Sequence, residues 1–299
     1  MSLVVDAELG APIRGPSALT GDRRRFWNLT FTIARTEFKL RFYGSVLGYV
    51  WTVMRPLLMF GVLMVVYSLG KLGSGIKDYP VMLLSGIVLF TFFTEATAGA
   101  VGCVVARESF VRKIQFPRLA IPLSVVLTAL FNLAVNFVPI IIFTALEGVR
   151  PRLSWLELPL IVLVLIFFAM GLAMLLSALY VRARDIAPIW DVVIQVLFYV
   201  SLLLIPIEKI GAHGRTLLHI WMLNPLADLM EQYRHAFIGS NAPRPPTTPY
   251  PGWHFGGSSA AAAIGGYAEL AIPMALIVIV FVLGFVVFNR SAPHIADNL

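Results

Sequence analysis

Two charged side chains stand inside stretches of sequence that are otherwise apolar: Arg55 within residues 45–70 and Glu95 within residues 81–106. If both stretches are membrane-crossing helices, each charge lies on the order of 15 Å from the end of its helix that faces the same side of the membrane. A charge at that depth costs about 2.5–3.5 kcal/mol on insertion scales and should face a partner or an aqueous cavity. We therefore expect Arg55 and Glu95 to pair or to share one polar cavity. The alternative is that Arg55 reaches back to the headgroups.

Residue patterns typical of enzymes are missing from the sequence. None of the five lysines precedes Ser or Thr, so the chain lacks the G-x-x-x-x-G-K-[ST] loop that cradles ATP phosphates. The five histidines form no H-E-x-x-H pattern, and the single cysteine, Cys103, excludes an intramolecular disulfide. No Ser/His/Asp grouping indicates hydrolysis. We predict that the chain is not an enzyme and carries no metal or cofactor of its own.

The composition is that of an integral membrane protein. Hydrophobic residues make up 59% of the 299 and charged residues only 13%, whereas a soluble domain carries about a quarter of its residues charged. Six apolar stretches approach the roughly 20 residues that a helix needs to cross the hydrocarbon core. We predict an all-α polytopic membrane protein with a cytoplasmic N-terminus at 1–44, a transmembrane domain at 45–290 and a cytoplasmic tail at 291–299. The predicted spans are residues 45–70, 81–106, 119–146, 158–180, 190–207 and 269–288.

Basic residues set the expected orientation. With the N-terminus inside, fourteen Lys and Arg residues fall on the cytoplasmic side and eight on the other, although the outer loops are much longer in total. Excess Lys and Arg mark cytoplasmic loops. We therefore expect a multi-pass protein of the plasma membrane with both termini in the cytoplasm.

Two segments outside the spans have a helical pattern. Residues 22–42 place Phe26, Leu29, Ile33 and Phe38 between Arg and Lys side chains, which suits an amphipathic helix lying in the cytoplasmic headgroup plane. Between spans five and six, "TLLHIWMLNPLADLMEQYRHAFIG" is too short and too polar to cross, and favours one or two half-depth or interfacial helices on the outer side.

Four stretches carry a recognisable pattern: "LRFYGSVLGYVWTVMRPLL", "RESFVRKIQFPRLAIPLS", "VRARDIAPIWDVVIQVLFYVSLLLIP" and "LNPLADLMEQYRHAFIG". Together they resemble the ABC-2 type permeases that export polysaccharides, the family that includes O-antigen, capsule, teichoic acid and galactan exporters. The resemblance runs from about residue 34 to residue 289. It implies a homodimer joined to two cytoplasmic ATP-binding cassette subunits, which hold the ATP and Mg, and a channel for a lipid-linked glycan. One departure is Arg55, because family members commonly have a neutral polar residue there.

The resemblance also suggests roles for three groups of residues. The short cytoplasmic loop at 107–117 mixes charged and apolar side chains that could dock on an ATPase, although an ordinary positive-inside loop is the simpler alternative. The outer Asn-Pro break indicates a gate, or else a plug that seals the outer mouth. Aromatic rings in spans one and five suit sugar stacking, although interface anchoring or packing explains any single ring as well. The coupling candidates are Arg107, Glu108, Phe110, Arg112, Lys113, Phe116 and Pro117; the channel or polar-gate candidates are Tyr49, Trp51, Arg55, Glu95, Phe198 and Tyr199; the outer-gate candidates are Asn224, Pro225 and Arg234.

We therefore predict the permease subunit of an ATP-driven exporter that moves a lipid-linked polysaccharide across the plasma membrane. A permease of the same type for drugs or lipids is the first alternative. An integral membrane glycosyltransferase is a remote one, because it needs acidic residues that hold a metal at the membrane surface. Asp185 and Asp191 are the only close acidic pair near an inner surface, and the sequence has no D-x-D motif.

Overall fold

The computed structural model describes residues 23–41, 46–70, 79–108, 116–149, 153–201, 215–238 and 267–294. These residues form nine α-helices and no strand, which confirms the all-α prediction. Three short 3₁₀ turns accompany them, at Val105–Arg107, Leu153–Glu157 and Ala292–His294. The helices are α1 Arg23–Arg41, α2 Val46–Gly70, α3 Tyr79–Val101, α4 Ala120–Leu146, α5 Leu158–Arg182, α6 Ile186–Val200, α7 Arg215–Met222, α8 Pro225–Ile238 and α9 Tyr267–Ser291.

Five of these helices, α2, α3, α4, α5 and α9, are long and apolar enough to cross a membrane, so the chain is an integral membrane protein. The apolar α6 has 15 residues and is shorter than the roughly 20 that crossing needs. The predicted fifth span continues to residue 207, and residues 202–214 lie outside the described part of the chain. A sixth span therefore stays a prediction.

One predicted helix boundary is wrong by several residues. The second span was expected to continue to residue 106, but α3 ends at Val101 and is followed by a turn and the 3₁₀ segment Val105–Arg107. Gly99 and Gly102 stand at this point, and glycine costs about 1 kcal/mol relative to alanine in a helix interior. Because the prediction rested on apolar composition alone, it extended the helix beyond these glycines.

The central helix of the bundle is α3, which contacts α2, α4, α5 and α6. It is buried on nearly all sides, with Leu83, Leu84, Phe93 and Ala96 fully buried. A helix surrounded by other helices can be apolar all round, which explains why α3 shows no polar stripe. The spans α2, α4 and α5 are arranged about it, α9 packs on α5, and α2 and α9 leave most of their surfaces exposed.

The helices α5 and α9 lie so close together that their backbones meet at two glycines. A Cβ atom built on Gly171 would lie 2.7 Å from Phe281 Cα, and one built on Gly284 would meet the carbonyl group of Gly171. Small residues let membrane helices approach in this way without a hydrophobic driving force between them. Phe167 and Phe281 stack beside the contact, with ring centroids 3.7 Å apart. The pair α5–α9 is therefore tightly packed.

The bundle has two distinct ends. We call the proximal end the one where the end of α3, the start of α4 and the end of α9 meet in a small core that includes Val104, Leu119, Phe288 and Ala292. We call the distal end the one where α8 lies against Leu153–Glu157 and the start of α3. Cys103 lies in the proximal core, and burial raises the pKa of its thiol to about 12, so it is a packing residue.

The first helix, α1, follows the first half of α4 in the same chain direction. Phe26 near its start joins the proximal core, Ala34 accepts a hydrogen bond from Thr128 Oγ1 at 3.4 Å, and Phe38 meets the ring of Phe131 edge to face at 5.6 Å. With 27 residues α4 is about 40 Å long, which exceeds the roughly 30 Å hydrocarbon core. Part of α4 can therefore project beyond the core. That α1 lies in the headgroup plane stays a prediction.

Candidate functional site

Two ion pairs tie α1 to the proximal end of the bundle. Glu37 and Arg41 stand four residues apart, so both point from the same face of α1. Glu37 pairs with Arg107, just beyond the end of α3, and Arg41 Nη1 lies 3.5 Å from Glu95 Oε2 within α3. The order of charges is reversed between the two pairs. This arrangement fixes the register of α1 against α3, since a shift by one turn would set like charges together.

Glu95 also binds α4. Asn132 Nδ2 donates a hydrogen bond to Glu95 Oε2 at 2.5 Å, and Asn136 Nδ2 donates to the carbonyl of Asn132 at 3.0 Å. Both asparagines are nearly fully buried. A carboxylate inside a membrane protein needs such donors, because an unpaired charge or polar group in hydrocarbon is costly. One carboxylate therefore connects three helices, α1, α3 and α4.

The expected contact between Arg55 and Glu95 is not formed within one chain. Arg55 is exposed and has no ion pair with any residue that the structure describes. It lies on the same face of α2 as Trp51 and Leu58, which are 58% and 54% exposed, whereas Glu95 turns towards α1 and α4. The two charges have similar depth but point in different directions about their helix axes. The idea that they share a polar cavity stays a prediction.

Open space adjoins the ion pairs. A cavity of about 770 Å³ lies between α1, the end of α3 and α4, and both ion pairs contribute to its lining together with apolar side chains such as Leu40. A second cavity of about 350 Å³ shares Glu37, Leu40 and Arg107 and extends to Phe116. The cavities therefore lie beside one side of α1, whereas its other side packs along α4.

The structure describes four of the seven coupling candidates. Arg107 is half-buried in its ion pair with Glu37, and Glu108 follows it on the same turn. Phe116 packs at the edge of the proximal core, and Pro117 precedes α4. The other three candidates lie outside the described residues, and they are Phe110, Arg112 and Lys113.

At the distal end, Asn224 and Pro225 begin α8. The Asn224 side-chain oxygen accepts a hydrogen bond from the Leu226 N–H at 3.1 Å, while its amide donates to Ser201 Oγ at 3.4 Å. Asparagine is a preferred N-cap residue, and proline is favoured at the first helical position because its missing N–H is not needed there. The Asn-Pro pair thus separates α7 from α8 and ties α8 to the end of α6.

The helix α8 carries three charged side chains into the protein interior. Asp228, Glu231 and Arg234 are each at most 5% exposed, and Arg234 Nη1 lies 3.5 Å from Glu231 Oε2. Both carboxylate oxygens of Asp228 lack a hydrogen-bond partner within the described part of the chain. Burial, and secondarily the charge of Glu231, raises the pKa of Asp228 to about 7. Asp228 is therefore a buried acid that holds its proton near neutral pH.

Asp228→Asn is expected to raise the melting temperature of the purified protein at pH 8 by roughly 5–10 °C and to change it little at pH 4.5. The folded carboxyl keeps its proton up to about pH 7, whereas the unfolded one loses it near its ordinary value of 3.8. Stability at this site is thus highest at low pH and falls as pH rises from about 4 to 7. The side-chain amide of Asn has the same shape but does not ionise, so the variant does not lose stability as the pH rises. Thermal unfolding measured across pH tests this.

The exposed Asp191 provides the control, because Asp191→Asn changes the same chemical group on the surface of α6 and should leave the melting temperature unaltered. A lower melting temperature of Asp228→Asn at pH 8 would contradict the prediction. It would mean that the Asp228 carboxylate is charged and held by a partner.

The channel candidates divide into two groups. Trp51, Arg55 and Tyr199 are exposed on the outward faces of α2 and α6. Phe198 is half-buried against Phe90, with ring centroids 5.3 Å apart. Glu95 belongs to the contacts at the proximal end already described. Tyr49 lies on α2, and its side chain is outside the described part.

Several residues of these sites were missed by the sequence analysis. Glu37 and Arg41 were given no role in the site, although opposite charges four residues apart indicate a shared face. Asn132 and Asn136 have the same spacing inside an apolar span, and polar residues there usually face other helices.

Comparison with known proteins identifies relatives of this chain. Residues 28–238 match the sequence family described as ABC-2 type transporter. The O-antigen export system permease protein RfbA of Myxococcus xanthus is 25% identical over 219 residues, which cover 73% of this chain and 84% of that protein. The protein of the same name from Klebsiella pneumoniae is 28% identical over 71% of this chain and 81% of its own length. The polysialic acid transport protein KpsM of Escherichia coli is 23% identical over 68% of this chain and 78% of its own. The resemblance inferred from the four sequence stretches is confirmed.

Proposed function

Because the chain belongs to the ABC-2 type transporter family, we propose that it is the membrane-spanning permease subunit of an ATP-driven exporter that moves a lipid-linked polysaccharide across the plasma membrane. One observation carries the proposal. Relatives named for export of two different polysaccharides, O-antigen and polysialic acid, align over more than two thirds of this chain and of their own chains. A drug or lipid permease has no comparable support.

ATP and Mg bind to a partner in this proposal. The sequence has no phosphate loop, so two cytoplasmic ATP-binding cassette subunits supply the nucleotide sites. They dock on the segment at 107–117, whose described residues, among them the half-buried Arg107, lie at the proximal end. The proximal end then faces the cytoplasm. The basic residues Arg24, Arg35, Arg182 and Arg184, which are exposed there, support this orientation.

A second copy of the chain completes the transport path. Arg55 is exposed at about 14 Å from the start of α2, on a face that includes the exposed Trp51, and arginine in contact with lipid at that depth is costly. This face suits a polar channel between two permeases. The exposed Tyr199 on α6 offers a ring to the same kind of channel. Six spans, a cytoplasmic interfacial α1 and outer helices α7 and α8 belong to the same proposal.

Depletion of this chain in its native cell tests the proposal. Cells are grown with labelled sugar precursors, and the side of the plasma membrane that holds the lipid-linked glycan is determined by its accessibility to added glycosidase before and after lysis. We expect full-length, lipid-linked polymer to accumulate inside. A plasmid copy of the wild-type gene should restore surface polymer.

The other outcomes separate the alternatives. Normal surface glycan after depletion would contradict polysaccharide export and favour a drug or lipid permease. Loss of the polymer altogether, inside and outside, would indicate a role in synthesis and favour the glycosyltransferase.

A further inference from the structure

Arg118 is a buried cation that the sites described so far do not use. Only 3% of the residue is exposed, yet it follows directly after the segment at 107–117. Its Nη1 atom donates a hydrogen bond to the backbone carbonyl of Ala292. This contact joins residues 174 positions apart in the chain. A guanidinium group buried in a small apolar core is costly unless it is hydrogen-bonded, and the Ala292 carbonyl supplies one acceptor.

The acceptor lies at the end of α9. The last carbonyl groups of a helix have no partner inside the helix and carry partial negative charge, so a guanidinium there forms a charge-assisted hydrogen bond. A second arginine reaches the same helix end, since Arg182 Nη2 donates to Ser291 Oγ at 3.1 Å. The two arginines differ in what they connect. Arg182 ends α5, whereas Arg118 directly follows the segment at 107–117.

The two ends of that segment are therefore fixed to different helices. At its start, Arg107 is paired with Glu37 of α1. At its finish, Pro117 has a restricted φ angle and Arg118 holds the end of α9. Because α9 is packed backbone to backbone with α5 at Gly171 and Gly284, a displacement of the end of α9 must carry α5 with it.

We propose that Arg118 is a positioning residue that transmits displacement of the segment at 107–117 to the α5–α9 pair, while Arg107 transmits it separately to α1. This inference rests on the proposed function, in which an ATP-binding partner pushes on that segment. Arg118 touches neither nucleotide nor glycan. A simpler role, capping the end of α9 for stability alone, predicts a different result in the experiment below.

The experiment measures hydrogen–deuterium exchange in the complex of this permease with its ATP-binding partner, with and without ATP plus vanadate. In the wild type we expect nucleotide-dependent changes in two peptides, one covering the end of α9 and one covering the second half of α1. In Arg118→Met the change at α9 should fall about tenfold while the change at α1 remains. In Glu37→Gln the nucleotide-dependent change at α1 should fall while the change at α9 remains. Arg182→Met, which loses a contact to the same helix end, should keep both responses.

Each outcome decides the matter. A retained nucleotide response at α9 in Arg118→Met, with or without lower stability, would overturn the inference and leave Arg118 as a helix cap. An equally large loss of the nucleotide response at α9 in Arg182→Met would also overturn the inference. If Arg118→Met does not assemble, Arg118→Gln removes the charge and shortens the side chain, and a wild-type response at α9 in that variant contradicts the proposed role. The absence of any nucleotide response in the wild-type complex would instead refute the proposed ATP-driven function, and the inference with it.

Discussion

Gly284→Ala is expected to lower the melting temperature of the protein by roughly 5–10 °C, although alanine is normally the better helix former. The added Cβ would meet the Gly171 carbonyl, which is backbone and cannot rotate away as a side chain can. Overpacking of this kind costs about 1–3 kcal/mol or more. The helices α5 and α9 must separate to relieve it, and Phe167 and Phe281 lose their stacking. Thermal unfolding of the detergent-purified protein, followed by size-exclusion chromatography, measures the change.

Gly61 provides a matched control for that change. It also lies within a membrane helix, α2, but a Cβ built there meets nothing within 4 Å. Gly61→Ala should therefore stabilise by about 0.5–1 kcal/mol or have no effect, because only the backbone entropy of the unfolded chain changes. Gly171→Ala should resemble Gly284→Ala, and the two together should be less than additive, since either one separates the helices. An equal effect at Gly61 and Gly284 would contradict the backbone contact.

The helix pair α5–α9 also marks how far the sequence predicts this fold. The long apolar stretches predicted α2, α4, α5 and α9 to within a few residues, because hydrocarbon thickness dictates helix length. Thickness says nothing about which helices touch. The contact of Gly171 with Gly284 depends on the rotation of each helix about its axis, and the glycines on α5 and α9 resemble other glycines in the sequence.

Rotation also explains why Glu95 pairs with Arg41, and not with Arg55, within one chain. Matching the depth of Arg55 and Glu95 used one coordinate, the distance along the helix axis. Each residue turns the side-chain direction by about 100°, so residues at equal depth need not face each other. The actual cation, Arg41, was placed by the sequence analysis in a helix at the membrane surface. The packing of α1 along α4 brings it to Glu95.

The residues of the distal site were only partly predicted from the sequence, because the sequence does not show which way a side chain faces. The dipeptide Asn224-Pro225 predicted a helix break because its preferences are local, and α8 begins there. Asp228 was read only as polarity that prevents crossing. A polar residue on a short helix can face either water or the protein, and local sequence does not decide between the two.

The second large effect, on polysaccharide export, is expected at the ion pair between Arg41 and Glu95. Glu95→Arg is expected to lower polysaccharide export by about tenfold or more, since it sets a guanidinium against Arg41 and against the Asn132 donor in a partly desolvated site. Arg41→Glu alone should lose export similarly, because two carboxylates then meet. Surface polysaccharide per cell, normalised to the amount of permease in the membrane, measures the effect.

Reversal of both charges should restore export to within about threefold of the wild type, because the double variant Arg41→Glu with Glu95→Arg rebuilds the pair with opposite polarity. Asn132 can accommodate the change, since its Oδ1 has no hydrogen-bond partner within the described residues and a flipped amide offers that oxygen to the new arginine. Arg55→Glu with Glu95→Arg is the matched control and should stay as inactive as Glu95→Arg. Rescue by Arg55 and not by Arg41 would refute the contact seen in the single chain, and would place Arg55 of one copy beside Glu95 in the working assembly. Comparison of the two double variants therefore shows whether Glu95 pairs with Arg41, which faces it in the structure, or with Arg55, which only lies at a similar depth.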